Sequence, residues 1–173
     1  MLVTIRDSET IKSYGANLQL IYAYWQSKAS GRLPTRADMD PREIPQLLPY
    51  LFMIDVEREP RRFRFRLIGT QICTWAGRDV TGLYLDDPAY GPRGGVISSQ
   101  YSEVVDRGVP YYAEQPAARP ERDYIFYERL VLPLAAAGGC TIDILLCGVD
   151  VLKPTVELRI GQFRRYWGDK PAS

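Results

Sequence analysis

Phe63-Arg64-Phe65-Arg66-Leu67-Ile68-Gly69-Thr70 is the stretch on which the fold turns. Phe63, Phe65 and Leu67 alternate with Arg64 and Arg66, and a period of two puts the two sets on opposite faces of a strand. Such a strand is half-buried and antiparallel, with its aromatic side on a core. Just upstream, Leu51 to Glu57 reads as a second strand, and Arg58-Glu59-Pro60-Arg61-Arg62 between them reads as a turn. The two strands make a hairpin. Downstream, from Thr70 to Gly95, the pattern breaks into short helical turns and loops: Gln71 to Gly77, Asp79 to Gly82, and Asp86-Asp87-Pro88. Pro92 to Arg107 is a longer helix, with Val96, Tyr101, Val104 and Val105 on one side and Gly108 as its stop. Three strands follow, Tyr111 to Ala117, Asp123 to Leu134 and Cys140 to Val149, with Gly138-Gly139 turning between the last two.

Upstream of the hairpin, Glu9 to Lys28 reads as an amphipathic helix. Ile11, Tyr14, Leu18, Ile21, Tyr22 and Trp25 recur at spacings of three and four and share one face. Asp7 or Ser8 caps its start and Ser30-Gly31 stops it. So aromatic a face has to bury against its own domain or a second copy of the chain. Tyr14, Leu18, Ile21, Tyr22 and Trp25 are therefore the candidate homodimer interface. Asp40-Pro41 opens a short helix that carries Ile44, Leu47 and Leu48 and ends before Pro49. The expected organisation is an N-terminal helix over 1–31, one domain over 32–152, and a polar tail over 153–173. Two strands, a helical crossover and three strands give an α+β fold. It is a five-stranded antiparallel sheet with helices on one face, plus the N-terminal amphipathic helix.

At 173 residues the chain holds one ordinary core. Apolar residues at 46% and charged residues at 25% match globular proteins rather than disordered ones. A net charge of +1 supplies no field to gather DNA, RNA or anionic lipid, so neither a nucleic acid nor a membrane is an expected partner. The N-terminus lacks a signal-peptide pattern, and no apolar run approaches the roughly 20 residues of a membrane span. Cys73, Cys140 and Cys147 lack CxxC spacing and sit among apolar neighbours, as small buried hydrophobes do in a reducing, cytoplasmic compartment. There is no histidine. That removes Ser-His-Asp and Cys-His nucleophile systems, histidine zinc sites, histidine-ligated haem and any phosphoacceptor histidine. No catalytic and no metal-ligating residue is assigned.

The element order is similar to that of the PAS fold, in which the helical segment between the second and third strands walls a pocket against the sheet. Several motifs narrow the likeness: Tyr24-Trp25, Leu33-Pro34-Thr35-Arg36-Ala37-Asp38, Asp40-Pro41, Leu47-Leu48-Pro49, the strand 63–70, Gly77-Arg78-Asp79-Val80-Thr81-Gly82 and Leu132-Pro133-Leu134. Together they resemble a family of stand-alone bacterial PAS-domain proteins common in alphaproteobacteria, over roughly Tyr22 to Gly148. The resemblance implies a sensory or signalling module and carries over no ligand or catalytic residue. Gln71-Ile72-Cys73-Thr74-Trp75 does not match the reactive-cysteine helix of light-oxygen-voltage domains, and no histidine is present to hold haem. Cysteinyl-flavin photochemistry and histidine-ligated haem are unsupported, and the cofactor is unknown.

Each candidate site has a plain structural reading beside it. Asp38, Asp40, Asp86 and Asp87 form acidic pairs of the kind used in acid–base work or cation binding, but each also sits where a cap or turn explains it. Arg64 and Arg66 suit a ligand carboxylate, or else pair with Asp55 and Glu57 on the neighbouring strand. The loop Gly77 to Gly82 either fastens a turn or lines a pocket rim near Trp75 and Tyr84. Pro92-Arg93-Gly94-Gly95 opens a helix but matches no phosphate-binding fingerprint. Arg66, Trp75, Arg78, Asp79, Tyr84 and Tyr101 are the candidate ligand-binding set. The expected function is a sensory or regulatory module that binds a small ligand or an unidentified signalling protein and acts through protein–protein contact. Its competitors are a small cavity enzyme using carboxylate or tyrosine chemistry and a pure dimerisation scaffold. Convergent carboxylates, or a tyrosine–carboxylate pair in a cavity, would favour the enzyme; an apolar lining would favour sensing.

Overall fold

A computed structural model of the chain describes residues 2–4, 15–88, 94–116, 126–139 and 141–152. Tyr14, the start of the expected N-terminal helix, Pro92-Arg93, Cys140 and the tail lie outside them.

The hairpin and the three-stranded meander are both present. β2 (Leu51–Arg58) and β3 (Arg61–Ile68) form the hairpin; β4 (Tyr111–Pro116), β5 (Phe126–Ala135) and β6 (Ile142–Leu152) form the meander. β2 also pairs antiparallel with β6, which joins the two halves into one sheet. A sixth strand, β1 (Leu2–Thr4), pairs with Tyr111–Ala113 and extends the order to β1-β4-β5-β6-β2-β3. Sequence reading did not anticipate β1, because three residues carry too little periodicity to register. Its pairing covers the β4 edge. The opposite edge, β3, is covered by the segment 82–85: Phe65 N–H donates to Leu83 O and Leu85 N–H to Phe63 O, both at 2.9 Å.

Helices occupy both faces of this sheet. On one, α3 (Gly94–Arg107) inserts Ile97, Tyr101, Val104 and Val105 among Phe52, Ile54, Phe63, Val131 and Leu145. On the other, α1 (Ala16–Lys28) lays Leu18, Ile21, Tyr22 and Trp25 over Tyr112, Leu130, Leu132 and Leu146. The helices expected on one face are thus joined by α1 on the reverse.

This placement corrects the interface reading. Leu18 and Ile21 are completely buried, and Tyr22 and Trp25 are each 7% exposed, so the apolar face of α1 is core and not a surface for a second copy. Each such side chain gains about 1.5–3 kcal/mol by leaving water. Specific bonds fix the register: Trp25 Nε1 donates to Pro133 O at 3.0 Å, and the Tyr24 hydroxyl both accepts from Asp40 N and donates to Asp40 O. Gly148 of β6 permits the close approach, since a Cβ there would stand 2.7 Å from Ile21 Cδ1 and 3.0 Å from Leu18 Cδ2.

The short helix expected after Asp40 is instead two 3-10 turns, Pro41–Glu43 and Pro45–Tyr50, which follow a third over Arg36–Asp38. Pro45 and Pro49 have no N–H to give to the carbonyls four residues back, so an α-helix cannot be completed there. Bonds to the third residue back form in its place, as in Leu47 N–H to Ile44 O at 2.9 Å. The helical turn expected at Gln71–Gly77 is present as α2 (Thr70–Ala76), which Gly77 ends with a left-handed φ of 70°.

Candidate functional site

The six ligand candidates do not converge. Arg66 donates to Asp55 Oδ1 at 3.0 Å while Arg64 holds Asp55 Oδ2 at 2.8 Å, so the two guanidiniums share one cross-strand carboxylate. Trp75 is half-buried between the rings of Tyr50 and Tyr127, 5.9 and 5.8 Å away. Arg78 and Asp79 lie on the exposed loop. Asp79 accepts from Thr81 N at 2.8 Å and Thr81 Oγ1 at 2.6 Å, bonds that fasten the turn and hold its carboxyl below the usual range. Tyr84 sits along the β3 edge, its hydroxyl on Glu57 Oε1 at 2.8 Å and its ring 3.7 Å beneath the Arg62 guanidinium. Tyr101 alone faces the interior, 1% exposed and edge-on to Phe63 at 5.5 Å.

The acidic pairs follow their cap and turn readings. Asp38 completes a capping box with Thr35 and receives Arg32. Asp40 accepts from Arg42 N, and that residue's guanidinium holds its carboxyl down at about 2. Asp86 pairs with Arg62 at 2.9 Å.

Beside Tyr101 lies a group that sequence reading passed over. Arg129 of β5 stands opposite Ala113 of β4 and Val149 of β6, on the α3 side of the sheet, and is 3% exposed. Its Nη2 donates to the Gln100 side-chain oxygen, and its guanidinium lies 5.2 Å from the Tyr101 ring centre. Both partners are neutral. Its Nε has no hydrogen-bond partner, and no salt bridge to Arg129 occurs among the described residues. Tyr111, two residues from Ala113 on the same face of β4, also has a buried hydroxyl without a partner. Burial pushes its phenol up to about 12, partly offset by the Arg129 charge. A buried charge left uncompensated costs about 3–5 kcal/mol, so such a group calls for a specific explanation.

The neighbouring Glu128 points to the α1 face. It is 3% exposed, accepting the Tyr112 hydroxyl on Oε1 at 2.7 Å and Gly15 N on Oε2 at 2.8 Å. Burial raises its carboxyl pKa, with Asp150 and Glu114 adding to the shift. Both oxygens are engaged in tying the start of α1 to the sheet, and Glu128 and Tyr112 are only 3% and 2% exposed. The pair is thus enclosed between α1 and the sheet.

A mostly apolar cleft of about 460 Å³ opens on the α1 face, where Tyr24, Met39, Ile44, Leu51, Met53 and Leu67 line it between the 3-10 turns and the sheet. None of the candidate ligand residues reaches it. Cys147 is a buried free thiol pushed up to about 12 by desolvation, and Cys73 is half-buried. Both fit the reading of cysteines as inert packing. No helix among the described residues is long and apolar enough to cross a membrane.

One signal for these buried charges is present in the sequence: Glu128-Arg129 interrupts an otherwise apolar run. Had β5 been recognised as central and covered on both faces, both charges would have been placed in the interior.

A mixed sheet-and-helix domain with core strand order β4-β5-β6-β2-β3, crossing over from β3 to β4 through helices, is a PAS-like fold. The sequence profile of the PAS domain matches residues 15–148, and the chain belongs to the PAS-domain family. No curated protein matches it. Among solved structures, it is similar to one described as an RNA-binding light-oxygen-voltage receptor, at 12% identity with a TM-score of 0.49. The match covers 80% of this chain and 41% of that one, so the chain spans about two fifths of that structure's length.

Proposed function

We propose that the chain is a sensory module that retains a small ligand between its sheet and α3, and that it signals through contact with a partner protein without catalysing a reaction. Membership of the PAS-domain family supports the sensory reading. The observation that carries the ligand is that two of the three unsatisfied buried side-chain atoms among the described residues, Arg129 Nε and the Tyr111 hydroxyl, share the face of the sheet that packs on α3. Ligand binding shifts the population of α3, and a partner reads the shift. A ligand moves that equilibrium only by its difference in affinity for the two states. The apolar character of the α1-face cleft and the enclosure of the Tyr112–Glu128 pair weigh against the enzyme reading.

Native mass spectrometry of protein purified from its own host tests this, compared with the denatured mass. The reading expects a reproducible extra mass of small-molecule size that is lost on denaturation. A native mass equal to the bare chain in every preparation would contradict it.

A further inference from the structure

We infer that the ligand is a small monocarboxylate whose carboxylate sits on the Nε edge of Arg129 and the Tyr111 hydroxyl; this rests on the sensory reading above.

Two buried donors, Arg129 Nε–H and Tyr111 O–H, lack acceptors, and they lie on one face of adjacent strands. Arg129 stands opposite Ala113, so Tyr111 is its diagonal neighbour, at a separation that long side chains bridge. An incoming group must therefore be an acceptor. The charge count makes it anionic. Gln100 takes Arg129 Nη2 through a neutral amide and Tyr101 presents its neutral ring, so the guanidinium's positive charge meets no carboxylate among the described residues.

The balance also sets the size of that charge. One guanidinium neutralises one negative charge, and the site adds only a neutral phenol and a neutral amide. A carboxylate matches this, with two oxygens for two donors and a planar geometry that suits a guanidinium edge. A dianionic phosphate would bring a second buried charge and a third oxygen with nothing to receive them. Ala113, opposite Arg129, is the smallest side chain that β4 places on this face, and the Tyr101 ring supplies an apolar wall for the rest of the molecule. Other acidic groups nearby are committed elsewhere: Glu128 faces α1, and Glu103 pairs with Arg107 at 2.7 Å.

The test is thermal unfolding and calorimetric titration of the full chain with acetate, butyrate and benzoate, set against inorganic phosphate and the neutral benzamide. At least one carboxylate should raise the melting temperature, and benzamide and phosphate should not. Arg129→Gln should weaken the effective carboxylate at least tenfold, and Tyr111→Phe should weaken it several-fold. Should Arg129→Gln fail to fold, the Arg129 Nε–Hε resonance of the wild-type chain carries the test, since it must shift on titration with that carboxylate. Carboxylates without effect on either readout would overturn the inference. So would equal binding of benzamide and benzoate. A neutral molecule found in the native mass would sink the carboxylate while leaving the sensory reading intact; no retained molecule and no carboxylate binding would sink both.

Discussion

Glu128 and Arg129 are consecutive residues of one strand that meet opposite fates because successive side chains point to opposite faces. Glu128 is satisfied by the Tyr112 hydroxyl and the Gly15 amide, and Arg129 keeps a free Nε–H edge. The satisfied member gives a pH prediction. The folded chain holds the Glu128 proton above its ordinary value of 4.5, with desolvation as the leading cause and Asp150 and Glu114 contributing. A raised folded pKa means stability that is complete below 4.5 and lost as pH rises through the folded value. The melting temperature should thus decline from about pH 5 upward until Glu128 has ionised, and Glu128→Gln should flatten that decline. A wild-type profile that rises with pH over that window would show that Glu128 does not control it. Asp38 and Asp40 act in the opposite sense, since arginine partners lower both, and their contribution disappears only in stronger acid.

Among the elements, α1 shows most clearly what periodicity can and cannot say. Spacings of three and four located its apolar face correctly, and Leu18, Ile21, Tyr22 and Trp25 are all buried. Periodicity does not name the surface that buries them. The sheet's own second face does so, and that face was hidden in the meander strands, where Leu130, Leu132 and Leu134 alternate with residues that are also buried. The hairpin was legible because Phe63 and Phe65 alternate with arginines that remain exposed. The 3-10 turns were misread as one helix because proline spacing outweighs the apolar stripe on Ile44 and Leu47. Among the expected ligand residues, Arg78 and Asp79 lie on an exposed, fastened turn, and the proposed site rests instead on a charge inside the central strand β5. The tight α1–β6 packing gives a second prediction. Gly148→Ala should destabilise by about 1–3 kcal/mol in denaturant unfolding, as overpacked cores do. Ile21→Val, which removes the clashing Cδ1, should recover part of that loss in a double-mutant cycle. Strictly additive effects would show that the two sites do not touch.

At the level of the whole molecule, one sheet serves two separate layers. The α1 layer is held to the sheet and the 3-10 turns by bonds from Gly15, Tyr24 and Trp25. The α3 layer holds the unsatisfied donors and, in this account, the ligand. Ligand loss should therefore loosen one layer and leave the other as it is. Hydrogen exchange followed by mass spectrometry measures this directly, comparing chain as purified from its host with chain stripped of small molecules by unfolding and refolding. The account predicts faster exchange over 94–107 and in β4 and β5 after stripping, with 16–28 unchanged. Identical exchange in the two samples, or a difference confined to 16–28, would contradict it.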